Sequence, residues 1–413
     1  MRDADAAEDT VREQPGRGLF AALFVDALGS GLWLPFNLIF FTQAQRIALG
    51  PAGIALTVGA LAGLVVGQLS GGVLDRVGPR RALVVSNLAR AVVFAAYPLV
   101  HHPLEVAFVV AVASSGDRVF WTANYPYLAS WARGRDVDKL VSTILVLQLV
   151  GLGVGAGAAG LVATNTPALH VLAWANAASF AVAGVLIARQ PARPVPADTA
   201  DPGKTSAGRP RTVWRDPPYL LLCGAQVLLV LLSSSYVIIL PLVILHTFHG
   251  PTWLVGLSIV AANAVLAAAQ RPVVRFSRTR ARRTAILAAL PVYVVSFGLL
   301  TALGHRRGTG LLVAGVLLAA ALGGLAEAIS TALMISAAAA AAPAGSEGRY
   351  SAAFQTSWGL AEVIAPLLFT RLLLGGNTLL WVTLAVVAVL TAPIVLRASR
   401  RLPPAVLAAA GAR

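Results

Sequence analysis

The sequence predicts an all-α integral membrane protein with twelve membrane-spanning helices in two pseudo-symmetric six-helix halves. Three observations point there. Hydrophobic residues make up 57% of the 413 and charged residues only 12%, about half the roughly 25% charged share of a soluble domain. Twelve apolar runs follow one another, most of them near or beyond the ~20 residues that carry a helix across a bilayer. Basic residues gather in alternate connections: 26 of the 32 Lys and Arg fall on one side of the arrangement and three, Arg46, Arg306 and Arg307, on the other. Arg90, Arg118 and Arg371 lie inside the runs. By the positive-inside rule this asymmetry puts both termini in the cytosol.

The runs lie near 18–43, 53–74, 80–99, 105–130, 139–163 and 168–188, then 218–245, 252–274, 284–303, 309–336, 352–373 and 378–397. Ahead of them, residues 1–16 carry Asp3, Asp5, Glu8, Asp9 and Glu13. An acidic leader is not a cleavable signal peptide and reads as a disordered cytosolic tail. Residues 189–217 are rich in Pro and charge without apolar periodicity, the pattern of a cytosolic linker. It divides a first bundle, 17–188, from a second, 218–398, which is followed by a tail at 399–413. The net charge of +15 raises the question of nucleic acid, but clustering between apolar runs argues for a lipid bilayer instead. One cysteine, Cys223, rules out an intrachain disulfide and a cysteine metal cluster.

The first run, LFAALFVDALGSGLWLPFNLIFF at 19–41, holds a single charge, Asp26. A carboxylate inside a span is expensive and tends to face a partner or a water-filled cavity. Its LPFNLI is echoed by LPLVIL in the seventh run, and each is followed by a Gly-Pro step, Gly50-Pro51 and Gly250-Pro251. The echo fits paired halves with a site between them near the midplane. The second run repeats glycine every four residues, Gly59, Gly63, Gly67 and Gly71, a stripe that allows close backbone approach, for tight static packing or for sliding.

The connection between the second and third runs reads GGVLDRVGPRR, 71–81. It resembles the loop signature of the major facilitator superfamily, with Gly71, Asp75, Arg76, Gly78, Arg80 and Arg81 in the matching places. The resemblance implies a cytosolic gate in an alternating-access transporter. A second stretch, 342–368, carries Pro343, Gly348-Arg349-Tyr350, Trp358-Gly359-Leu360 and Pro366, which is similar to drug-efflux members of that superfamily. The fifth run offers Gly155-Ala156-Gly157-Ala158-Ala159-Gly160 where antiporters in the superfamily place a Gly-Pro-x-x-Gly-Gly element, so the proline and one glycine are missing. The same residues fit Gly-x-Gly-x-x-Gly, but no strand precedes them and the surrounding run is of membrane length, which argues against dinucleotide binding.

The fourth run contains SSGDRVFWTANYPYLASW, 114–131. Arg118 stands where the superfamily carries a buried arginine linked to proton movement, although Val119, Phe120 and Trp121 replace the glycine and glutamine that often follow. Asp117 and Arg118 are successive helix residues and do not share a face, so the expected partner of Arg118 is Asp26. A carboxyl group held between desolvation and a guanidinium can be protonated in one conformation and charged in another. Glu327 and Glu362, also within apolar runs, are candidates for the same role. Trp33, Asn37, Trp121, Asn124, Tyr125, Tyr236, Asn263 and Trp358 are candidates to line a cavity for a bulky, partly apolar ligand. All six histidines fall in or beside the outer connections; His246 and His249 lack a third ligand nearby, and no metal or cofactor is expected.

These readings lead to proton-coupled export of a hydrophobic small molecule from the plasma membrane by a monomer, with substrate, protons and lipid as its partners. The word "drug" comes from the resemblance alone. An uptake permease for a polar metabolite is the first rival, and a cavity dense in carboxamides and charges would favour it. A membrane enzyme is not expected, since neither His-Glu-x-x-His nor Gly-x-Ser-x-Gly occurs. A non-transporting sensor or scaffold would be favoured if purified, reconstituted protein moved no ligand.

Overall fold

A computed structural model describes residues 17–131, 135–191, 213–277, 282–304, 309–343 and 346–402. Among these residues there is no strand, and twelve helices are long and apolar enough to cross a membrane. They are α1 (Arg17–Ala44), α2 (Leu49–Val77), α3 (Pro79–Ala96), α4 (Pro103–Ala129), α5 (Arg135–Val162) and α6 (Thr166–Ala188). The second half comprises α7 (Pro217–His246), α8 (Thr252–Ser277), α9 (Arg282–Leu303), α10 (Thr309–Ala341), α11 (Glu347–Leu374) and α12 (Asn377–Arg401).

Helix starts follow local chemistry. Proline opens α3, α4 and α7, where its missing N–H costs nothing. The His102 ring accepts from Leu104 N while Glu105 accepts from the amides of His101 and His102, which fixes the first turn of α4. Asn165 and Asp216 cap α6 and α7 through Ala168 N and Tyr219 N. Gly78 sits at φ 82° immediately before α3, a left-handed turn that glycine adopts without steric penalty. Most of the expected linker lies outside the described residues; its last part forms a 3₁₀ turn, Val213–Arg215, with Val213 buried.

The echo between LPFNLI and LPLVIL has a structural counterpart. In α1 the helix tightens to a 3₁₀ turn at Leu34–Phe36 and loosens to a π turn at Phe40–Ala44. In α7 it is interrupted at Ile239, before a last short segment, Leu240–His246. Both breaks sit beside a Leu-Pro step, where proline removes an i→i−4 hydrogen bond.

Packing repeats with the same symmetry. In the first half α1 packs on α5 and α6, α2 on α4, and α3 on α4 and α6. Adding six to each number gives the pairs of the second half: α7 on α11 and α12, α8 on α10, and α9 on α10 and α12. The halves meet through α2 against α11 and α5 against α8, a pair that maps onto itself. The glycine stripe of α2 packs tightly on α4: a Cβ at Gly59, Gly63 or Gly67 would press on Val110, Ser114 or Arg118. On α5, Gly155 lies against the α1 backbone at Leu28, and Gly160 against the α8 backbone at Gly256. Large apolar side chains such as Val92, Phe108, Val154 and Leu390 cover the outer surface, the pattern of a protein solvated by lipid.

Candidate functional site

A cavity of about 550 Å³ opens among the helices, lined mainly by α1 to α6 and closed on one side by Val237 and Ile238 of α7 and by Glu362 and Pro366 of α11. Its volume lies within the roughly 300–1,000 Å³ range of ligand pockets. Trp33, Phe94, Tyr97, Trp121 and Phe180 supply aromatic walls. Trp33 is locked edge-on against Phe40, Phe94 and Tyr97, at centroid distances of 5.0, 5.3 and 5.1 Å.

The polar centre of this cavity is Arg90 on α3. Its guanidinium donates to Asp26 Oδ1 at 2.8 Å, to Asn87 Oδ1 at 3.0 Å and, through its other terminal nitrogen, to Asp117 Oδ1 at 3.4 Å. The guanidinium carbon lies 4.1 Å from the Phe180 ring centre and 4.6 Å from that of Phe120, a cation–π arrangement on two sides. Gly116 makes this possible, because a Cβ there would stand 2.8 Å from Arg90 Cγ. The Asp26 and Arg90 side chains are 6% and 3% exposed, and that of Asp117 is 48% exposed. One guanidinium therefore serves two carboxylates, one shielded and one facing the cavity.

The expected pairing of Asp26 with Arg118 is corrected by this geometry. Arg90 lies level with Asp26, whereas Arg118 points across the cavity and forms an ion pair with Glu362 of α11. Gly359, from the Trp-Gly-Leu step, gives that contact room, since a Cβ there would meet Leu64 and approach the Arg118 guanidinium. Arg90 and Asp117 escaped selection as site residues. The available signal was that Arg90 is one of only three basic residues inside the apolar runs.

The other selected residues divide. Trp33, Asn37 and Trp121 line the cavity. Asn124 is buried on α4 and Trp358 packs against the hydrophobic core, and neither lines it. Tyr236 and Asn263 line a separate small pocket with Glu327 in the second half. The side chains of Tyr125 and Asp75, and the surroundings of Gly71, lie outside the described residues. Of the loop signature, Arg80 donates to the Ala188 carbonyl at the end of α6, and Arg76 and Arg81 are exposed. Gln43 and His246 hydrogen-bond between the last turns of α1 and α7 at 2.7 Å; His305 lies outside the described residues.

Among the described residues, five polar atoms of cavity-lining side chains are buried without a protein partner: the donors Trp33 Nε1, Arg90 Nε and Asn176 Nδ2, and the acceptors Asn37 Oδ1 and Gln148 Oε1. Such atoms are costly to leave unpaired and are available to a bound molecule or to water.

Residues 19–366 match the family model of the Major Facilitator Superfamily. The chain belongs to the Major Facilitator Superfamily. It is thus a multi-pass membrane transporter by family, and its twelve-helix architecture is that of solved members. It resembles a mutant of the nucleoside transporter NupG with a TM-score of 0.77 at 14% identity, over 92% of this chain and 98% of that one. A POT family transporter in complex with a thioalcohol-conjugated peptide matches with a TM-score of 0.72 at 12% identity, over 93% and 95%. In sequence, it is 27% identical over 129 residues to the multidrug resistance protein MdtH of Aeromonas salmonicida (strain A449), 31% of this chain and 32% of the relative. The MdtH protein of Aeromonas hydrophila subsp. hydrophila is 26% identical over the same length and shares. The aligned part spans about a third of the length of these curated relatives.

Proposed function

We propose that the protein exports hydrophobic small molecules in exchange for protons, by alternating access, as a monomer in the plasma membrane with both termini in the cytosol. The observation that carries this reading is Arg90 shared between Asp26 and Asp117 on the wall of an aromatic cavity. Two carboxylates competing for one guanidinium form a two-position device. A proton on Asp26 weakens its hold and leaves the guanidinium to Asp117; a proton on Asp117 does the reverse. A ligand settling against the half-exposed Asp117 is then linked to the protonation of Asp26. The partial likeness to two proteins named for multidrug resistance supports the export direction. The segment 71–81, in which the end of α2 meets the start of α3 at Gly78, is proposed as the gate at the end carrying the termini, tested by spin-label distances across that end in Asp75→Ala; distributions identical to the parent's would refute it.

Purified protein in liposomes, with an imposed pH gradient and a panel of hydrophobic cations, neutral antibiotics and sugars, tests the coupling. Asp26→Asn is expected to lose pH-driven transport while retaining substrate exchange without a gradient. Unchanged pH-driven transport by the variant would remove Asp26 from the mechanism.

One observation favours a second reading, uptake of a small polar metabolite with protons. The cavity carries the carboxamides Asn37, Gln148 and Asn176, three with unpaired atoms, alongside its ion pairs. Sugars accumulating on the side that protons enter, with hydrophobic compounds unmoved, would select it.

A further inference from the structure

The second half holds a pocket that the reading above does not use. It lies between α7, α8 and α10, has room for about 30 Å³, and is lined by Glu327 with Ser233, Tyr236, Ser258 and Asn263 among apolar residues. Val237 lines both this pocket and the large cavity and stands between them. About 10–15 Å³ of such room suffices for one water-sized occupant.

The hydrogens of its hydroxyl groups are already committed. Ser233 donates to Val230 O and Ser258 to Val255 O, at 3.2 and 2.8 Å. Ser296 donates to Ala319 O at 2.8 Å, so in its 2.6 Å contact with Tyr236 it is the acceptor and the phenol is the donor. What Ser233, Ser258 and Tyr236 turn to the pocket is therefore oxygen lone pairs. Among the described residues no ion pair or hydrogen bond reaches the Glu327 carboxylate. One donor nearby, Asn263 Nδ2, is itself without a partner among the described residues, while the hydroxyl of the fully buried Tyr293 interacts with Ser233 and Ser330. Among the described residues, the titratable groups acting on Glu327 are the phenols of Tyr236 on α7 and Tyr293 on α9; α8 brings the polar Ser258 and Asn263 with the apolar Ile259 and Ala262, and no titratable group, to the pocket.

We infer that this pocket binds one small monovalent metal cation of the sodium class, held by Glu327 with the oxygens of Ser233, Tyr236 and Ser258. A buried carboxylate without a cationic neighbour needs a counter-charge. A proton would satisfy it with no void and no ring of acceptors, whereas an ion of finite radius requires both. Oxygen-only ligands suit a hard cation. A single carboxylate balances one positive charge, and a divalent ion would leave an unbalanced charge in the membrane interior. The Asn263 amide can present its oxygen by rotation about its last bond.

The test uses the full chain in detergent and does not depend on transport. Thermal unfolding is followed at mildly alkaline pH while sodium, potassium or choline chloride is varied at constant ionic strength. A ligand that binds only the folded state raises the midpoint saturably with its concentration. Sodium is expected to do so, with potassium weaker and choline inert. Glu327→Gln, a neutral isostere, is expected to abolish the sodium response, and Ser258→Ala to move the half-saturating sodium concentration upward several-fold. Equal responses to the three salts, or a sodium response retained in Glu327→Gln, would overturn the assignment. Loss of proton coupling in Asp26→Asn would leave it untouched.

Discussion

Replacing Arg90 by Met removes the one positive charge that serves Asp26 while keeping most of the side-chain volume. The Asp26 side chain is 6% exposed, so its charge is left without a partner, and breaking a buried pair from one side costs about 3–5 kcal/mol. Two cation–π contacts go with it, at roughly 0.5–2 kcal/mol each in a shielded site. Asp26→Asn is milder. Arg90 keeps Asn87 at 3.0 Å and Asp117 at 3.4 Å, and losing one charge-assisted bond costs about 1.5–3 kcal/mol. In the double variant the orphaned carboxylate no longer exists, so its destabilisation falls short of the sum by about 2–3 kcal/mol. Unfolding in mixed micelles with increasing denaturing detergent, followed by helical circular dichroism, gives the four free energies of the cycle. Additivity within about 0.5 kcal/mol would refute a direct Asp26–Arg90 interaction and with it the two-position device. Asp117→Asn is the control: its side chain is 48% exposed, and the effect on stability stays below about 1 kcal/mol.

Three further outcomes follow from the packing. Glu362→Gln breaks the ion pair to Arg118 between the halves; with the Glu362 side chain 48% exposed, the pair contributes at most about 1 kcal/mol. Spin-label distances between α2 and α11 should then show a population shift of no more than about fivefold, and a complete switch would contradict that magnitude. Gly63→Ala forces α2 away from the Ser114 backbone and costs about 1–3 kcal/mol, whereas Gly224→Ala, inside α7 with nothing within 4 Å, keeps or raises stability, by up to about 1 kcal/mol; equal melting temperatures for the two would refute the close α2–α4 contact. Tyr350→Phe removes the 2.9 Å bond from its hydroxyl to Asp216 Oδ2, which ties the start of α11 to the cap of α7, and lowers stability by about 1.5–3 kcal/mol; no change in the unfolding curve would show that the contact is not formed.

The helices were legible because the bilayer leaves the chain little choice: every backbone amide must be satisfied internally, so twelve long apolar runs become twelve helices. The repeat was legible at the Leu-Pro steps because proline imposes its break locally. Partner choice was not. Sequence distance says nothing about which of three intramembrane arginines faces Asp26, and a motif-based preference for Arg118 overlooked Arg90, whose route past α4 depends on Gly116. The cavity lining was hidden for the same reason. Trp358 and Asn124 have suitable chemistry but sit on faces turned elsewhere, and facing depends on how α4 and α11 rotate in the bundle.

The contacts between the halves bear on the proposed motion. Gln43 with His246, Gly53 against Thr370, the Leu367 amide on Thr57 and Gly160 against Gly256 all lie in the part of the bundle remote from Arg17 and Leu402. Arg118 with Glu362 lies nearer the middle. Two hydrogen bonds, small residues in van der Waals contact and one partly exposed ion pair amount to a few kcal/mol, at about 1 kcal/mol for each polar contact. A difference of that size leaves the alternative arrangement populated at a per cent or so, and a ligand with modest preference can reverse the balance. The backbone-to-backbone fit at Gly160 and Gly256 has the opposite character: it is short-ranged and vanishes once the helices part by an ångström or two. A contact of this kind between the halves is sharp in distance and shallow in free energy, which is what the alternating access proposed above requires of it.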